Sequence, residues 1–228
     1  MKLGTGNYNQ EHAEKLMERL TADPRSSLAA VSMNDLLTEF HRGYPLENLL
    51  FLLRNDNPEL VKIGAWIASE LGEKGKLLLD DVSPLLQHPE SKVRFSAINS
   101  LLLWADPSKG AELASVVNLI EDPEPRVRWK VMDFLSRATT EQLSAALSYL
   151  EVTNPLSKNI RGLRLLLAGV DNPKEATAAL HDQDGLMRKY GVVLARRVAE
   201  INRDPLLYAA SMDDPDVKDF ADTSISLL

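Results

Sequence analysis

Apolar residues in this chain keep a helical spacing, and a two-residue phrase marks each point where the spacing restarts. An apolar residue stands directly before a basic one at Val61-Lys62, Val93-Arg94, Val127-Arg128, Ile160-Arg161, Met187-Arg188 and Val217-Lys218. Successive phrases lie 32, 34, 33, 27 and 30 residues apart. From Val127, apolar positions return at Val131, Phe134 and Leu135, which places all four on one face of a helix. Val93, Ala97, Ser100 and Leu101 repeat that spacing, and Ile98 and Leu102 widen the stripe. Ala65, Ala97 and Ala195 put small side chains where packed helices would approach closely. Sustained period-two alternation and Asn-Gly hairpin turns are missing, so strands are not expected. A repeat length near thirty residues is the signature of stacked helical hairpins.

Turn chemistry separates the helical stretches. Pairs of Asp, Asn or His with Pro stand at Asp23-Pro24, Asn57-Pro58, His88-Pro89, Asp106-Pro107, Asp122-Pro123, Asn154-Pro155, Asn172-Pro173, Asp204-Pro205 and Asp214-Pro215. Proline has no amide proton and a fixed φ, so it suits the first turn of a helix. The residue before it is pushed out of helical geometry and, when Asp or Asn, can cap the helix that follows. One dipeptide thus ends one helix and starts the next.

The pattern predicts helices over 9–21, 28–41, 45–53, 58–71, 76–87, 90–104, 110–121, 125–137, 140–151, 156–169, 173–180, 185–201, 205–212 and 215–226. The expected fold is all-α, a right-handed α-α superhelix of about 12–14 helices. One solenoid domain over 1–228 is expected, with 1–55 as a divergent N-terminal cap and 56–228 as the repeats. Terminal units of such arrays are commonly atypical.

The stretch Asp-Pro-Glu-Pro-Arg-Val-Arg-Trp-Lys-Val at 122–131, echoed by His-Pro-Glu-Ser-Lys-Val-Arg-Phe-Ser-Ala at 88–97, resembles HEAT-like repeats. The turn residue, the Pro, the Val and the Arg carry the resemblance, which covers about 55–226. An extra residue near Asn154, and Gln183 where proline is expected after Asp182, depart from the pattern. The resemblance implies a fold that hosts scaffolds, transport receptors, DNA-binding proteins and inhibitors.

Composition narrows the chemistry. There are no cysteines, which excludes disulfides and thiolate metal sites. The N-terminus carries no apolar run like a signal peptide, and no stretch is long enough to span a bilayer, so a cytoplasmic protein is expected. Thirty-three acidic residues against 26 Lys and Arg give a formal charge of −7. That balance argues against nucleic acid and anionic membranes and favours a basic partner.

Arg94, Arg128, Arg161 and Arg188 recur once per repeat among acidic turns. They are expected to pair with turn carboxylates of neighbouring repeats, such as Asp122 or Asp182, rather than to form an anion-binding ladder. Acidic clusters at Asp80-Asp81, Glu121-Asp122-Glu124, Asp182/Asp184 and Asp213-Asp214-Asp216 mostly coincide with helix starts and lack the spacing of a calcium loop. Trp66 and Trp104 suit a core. Phe95 and Trp129, like Ile63 one repeat earlier, fall two residues after the phrase apolar residue and off the buried stripe. Ile67, Asn99 and Asp133 follow along the same edge. We expect Ile63, Phe95, Asn99, Trp129 and Asp133 to form a partner-binding strip.

No catalytic residue, metal ligand or cofactor site is expected. The four histidines are dispersed, and Gly72-Glu73-Lys74-Gly75-Lys76 lacks the spacing and the Ser or Thr of a phosphate loop. The expected function is a non-catalytic protein-binding module, most specifically a bacterial toxin-neutralising immunity protein that binds a basic toxin domain and is monomeric outside that complex. The HEAT-like resemblance also implies an alternative, an alkylpurine DNA glycosylase, for which Arg128, Trp129, Lys130 and Asp133 supply the residue types. A third reading is an assembly scaffold or adaptor.

Overall fold

The computed structural model describes residues 7–228, which form fourteen α-helices and no strand. They are α1 (Gln10–Ala22), α2 (Ala29–His41), α3 (Glu47–Leu53), α4 (Pro58–Glu70), α5 (Leu79–Val82), α6 (Ser91–Trp104), α7 (Gly110–Asn118), α8 (Pro125–Arg137), α9 (Thr140–Thr153), α10 (Asn159–Ala168), α11 (Pro173–Leu180), α12 (Gly185–Arg197), α13 (Asp204–Ala210) and α14 (Pro215–Ser226). The helices group into two compact units, Met1–Trp104 and Ala105–Leu228. The first therefore joins the divergent N-terminal helices to the first two helices that carry the phrase.

Proline and its neighbour set the helix starts as their chemistry requires. Asn57, Asn172 and Asp214 each precede proline and accept an amide hydrogen bond from the first turn of α4, α11 and α14. His88 and Asp122 do something different. The Glu124 amide donates to Asp122 Oδ1 at 2.9 Å, and the Glu90 amide donates to His88 Nδ1 at 3.1 Å. These side chains close the turn two residues ahead instead of capping the helix, and histidine takes the aspartate's place. At α9 the cap is a full capping box between Thr139 and Gln142. Thr139→Ala is expected to lower stability by about 1 kcal/mol in urea unfolding, because it orphans the Gln142 amide.

The segment expected as one helix over 76–87 is instead two 3₁₀ turns, Gly72–Leu78 and Ser83–Gln87, around the short α5. Pro84 cannot continue an α-helical ladder, and Gly72 adopts a φ of 56°, open to glycine at little strain. Gly75 leaves room for the buried Trp104 indole, which a Cβ there would approach to 2.1 Å. The indole Nε1 donates to the Gly72 carbonyl at 2.7 Å. The glycines once comparable to a phosphate loop thus seat a tryptophan.

In the first unit α1 packs on α2, α3 on α4, and α4 on α6, over a core that includes Leu36, Leu52, Ile67 and Ile98. In the second, α7 packs on α9 and α9 on α10, while α12 lies centrally against α8, α10, α11, α13 and α14. The phrase residues Val61, Val93, Val127, Ile160, Met187 and Val217 are all buried, as expected. One arrangement adds to the nearest-neighbour stacking of a simple repeat array: α8 also packs on α14. Arg197, on α12, donates to the carbonyls of Leu135, Ser136 and Ala138 at 2.9, 3.4 and 2.8 Å. It closes the C-terminal end of α8, where free carbonyls and the helix dipole favour a cation.

Candidate partner-binding surface

The recurring arginines fasten turns. Nη1 of Arg94 donates to the carbonyls of His88 and Pro89 at 2.8 and 2.9 Å. Arg128 does the same to Asp122 and Pro123 at 2.8 and 3.0 Å, and Arg188 to Asp182 and Gln183 at 3.1 and 3.0 Å. In each case the arginine reaches back five and six residues around the turn that precedes its helix. In Arg128 and Arg188 the rest of the guanidinium binds a carboxylate of another turn. Arg128 forms a bidentate pair with Asp216 at 2.7 and 2.8 Å, and Arg188 holds Asp214 through Nε and Nη2 at 3.0 and 2.9 Å. Arg161 pairs with Asp182 at 2.7 Å. Lys189 adds a contact to Asp216 at 3.3 Å.

The 214–216 turn is therefore a charge junction. Burial works against the charged form of Asp216, but the Arg128 hydrogen bond and the charges of Lys189 and Arg128 outweigh it and hold the carboxyl below its usual range. At Asp182 the Asp184 amide, opposed by burial and helped by Arg161, does the same.

The structure distributes the expected strip unequally. Ile63 departs from the expectation: it is only 6% exposed, because α4 is covered by both α3 and α6. Phe95 and Asn99 are half-buried in the first unit, and the Asn99 amide donates to the Ser69 carbonyl at 3.2 Å. In the second unit Trp129 is half-buried, its ring 5.9 Å from that of Phe220. Asp133, also half-buried, accepts from Lys130 at 2.9 Å and lies 3.5 Å from Arg137. Arg128 and Lys130 are thus engaged by carboxylates of their own unit.

A more open surface lies in the first unit, between α1 and α3. These helices pack on α2 and α4 respectively but have no extended packing on each other. The gap is a groove of about 620 Å³. Glu14, Met17 and Glu18 line it from α1, and Asn48 and Phe51 from α3, with Tyr44 between. Phe51 is 51% exposed. Burial raises the Tyr44 hydroxyl pKa, and the nearby charge of Glu14 raises it further. Tyr44 is held by Phe40 and Tyr8, whose rings stand 5.1 and 5.6 Å away. Beyond Phe51 a second hollow of about 410 Å³ is edged by Leu50, Arg54, Asn55 and Asp56.

Sequence reasoning missed this groove for a readable reason. Phe51 lies in Leu49-Leu50-Phe51-Leu52-Leu53, where every position is apolar and no polar face marks the open side. On α1 a signal existed: Ala13, Leu16 and Leu20 form the buried stripe, and Met17 stands outside it between Glu14 and Glu18.

No helix of the described residues is long and apolar enough to cross a membrane, and no cluster of three or more His, Cys, Asp or Glu among them is placed to hold a metal ion. No protein-family model matches the chain, and no curated protein sequence matches it. Among solved structures it is similar to the crystal structure of an engineered protein from the Northeast Structural Genomics Consortium. The TM-score is 0.51 at 16% identity, over 96% of this chain and 98% of that one. At that identity the likeness concerns fold alone.

Proposed function

We propose that this chain is a non-catalytic protein-binding module. The observation that carries the reading is the groove between α1 and α3, where an exposed aromatic and a methionine meet two carboxylates and no basic side chain. Apolar anchors with a charged rim are the usual anatomy of a protein-recognition patch. The internal pairing of Arg128, Arg161 and Arg188 supports the same reading, since side chains held by turn carboxylates are poorly placed to neutralise phosphates. The finer reading is a toxin-neutralising immunity protein, supported by the charge of −7, which would steer a cationic toxin domain toward it. We also assign the helical hairpins to the HEAT-like kind, on the repeated turn clamp of Arg94, Arg128 and Arg188.

Co-expression with the product of the adjacent reading frame tests the finer reading. A complex that survives size-exclusion chromatography, with protection of cells from that product, is the expected result. Cells killed at the same rate with and without this chain would overturn the immunity reading. Base excision from alkylated DNA by the pure protein would overturn the non-catalytic one.

A further inference from the structure

We infer that the groove between α1 and α3 receives a positively charged amphipathic helix of a protein partner, an inference that rests on the protein-binding reading above. The occupant follows from shape, apolar content and charge.

Shape comes first. Two neighbouring helices normally lie about 8–10 Å apart, and a third element fits where such packing is missing. α1 and α3 leave such a trough. The lining runs from Glu14 to Ala22 on α1, about 13 Å, and the opposite wall, α3, is 7 residues or about 10 Å long, which matches about two turns of a facing helix. The first unit has no strand among its described residues, so an extended peptide would find no sheet edge to join. Helix-in-groove recognition remains as the mode that uses an apolar trough between helices.

The apolar content sits where such a helix would lay its buried face. Met17 and Ala22 stand on one wall and Phe51 on the other. A lone exposed phenylalanine would mean little. Phe51, however, divides two adjoining hollows, so one side chain of a ligand on either flank could bury the ring.

Charge decides the sign of the partner. Glu14 and Glu18 are four residues apart, one above the other on the groove side of α1, and both are exposed. Glu11 on the same helix is paired with Lys15 at 2.6 Å. Among the described residues Glu14 accepts only from the Gln10 side-chain amide, at 2.9 Å, and Glu18 has neither hydrogen bond nor ion pair. Two carboxylates one turn apart match Lys or Arg residues one turn apart on a facing helix. They would repel an anionic lipid surface, a nucleic acid or an acidic peptide.

The test uses the full chain and a labelled peptide of about 14 residues, leucine on one face and lysine on the other. Fluorescence anisotropy at low and high salt compares it with a scrambled peptide of equal composition and with a glutamate-for-lysine version. The lysine helix should bind about ten-fold or more tighter than either control and weaken with salt. Phe51→Ser and the pair Glu14→Lys with Glu18→Lys should each weaken it about ten-fold, and Leu156→Ser, at an exposed position of the second unit, should leave it unchanged. Circular dichroism of each exposed-site variant confirms folding. Equal binding of the scrambled peptide, or indifference to Phe51→Ser, overturns the inference. So does a concentration-dependent dimer of this chain that Phe51→Ser abolishes, because the occupant is then a second copy. If a purified partner binds native and groove variants alike, the groove assignment falls while the protein-binding reading stands. If base excision is found and the peptide does not bind, both fall.

Discussion

Gly162→Ala should lower stability by about 2–3 kcal/mol, even though alanine is the better helix former by about 1 kcal/mol. Gly162 lies in α10 against α12, and a Cβ there would stand 2.2 Å from the Tyr190 ring. The ring cannot step aside. Tyr190 is fully buried, and its hydroxyl donates to Asn159 Oδ1 at 3.1 Å. Asn159 in turn donates through Nδ2 to Asn118 Oδ1 at 3.1 Å, which ties the ring to α7. Burial also pushes the Tyr190 hydroxyl far above its usual pKa, so it remains a neutral donor across the accessible pH range. The urea midpoint, followed by far-UV circular dichroism, measures the loss. A double variant with Tyr190→Leu provides the control: with the ring gone, the added methyl has space, and the two substitutions should fall short of additive by more than about 1 kcal/mol. Strict additivity would show that the close approach is not the cause.

Asp216→Ala should cost about 2–4 kcal/mol at neutral pH, because it leaves two cations without their shared anion. Arg128, Lys189 and Asp216 are 18%, 14% and 17% exposed, so water replaces the lost carboxylate only in part. The pH dependence follows from the depressed pKa of Asp216. A carboxyl held low in the folded state stabilises fully above its unfolded value of about 3.9, and loses that contribution as pH falls through the folded value. Native protein and Asp216→Asn should therefore differ most near neutrality, and the difference should shrink only as pH falls below about 3.9 and through the depressed folded value. Urea midpoints measured at intervals from neutral pH downward check this, and a difference that widens on acidification would contradict it.

Much of the helical framework was legible because it depends on local chemistry. Pro125 and Pro215 open α8 and α14 where expected, and the apolar residue of each phrase is buried because the helical spacing dictates one inward face. The arginines were expected to bind turn carboxylates, and Arg161 does meet Asp182. What the spacing did not disclose was distance in sequence. The carboxylate that Arg128 holds is 88 residues away, on a turn no local rule connects to α8. Nor does any pattern within 72–87 announce that Gly75 makes room for an indole on another helix. Of the candidate surface, Phe95, Asn99, Trp129 and Asp133 are half-buried, while Ile63 is covered because both flanks of α4 are occupied. The α1–α3 groove escaped notice because openness is a property of a missing neighbour, and an all-apolar run cannot say which of its sides lacks one.

The seat of α14 on α8 changes what losing α14 would do. In an open-ended array the last module can be trimmed with the rest left intact, and new modules can be appended by duplication. Here a premature stop before Pro215 would strip the lid from the middle of its unit, baring Trp129 and stranding Arg128. Deleting α14 should therefore be as damaging as deleting a central helix of this unit.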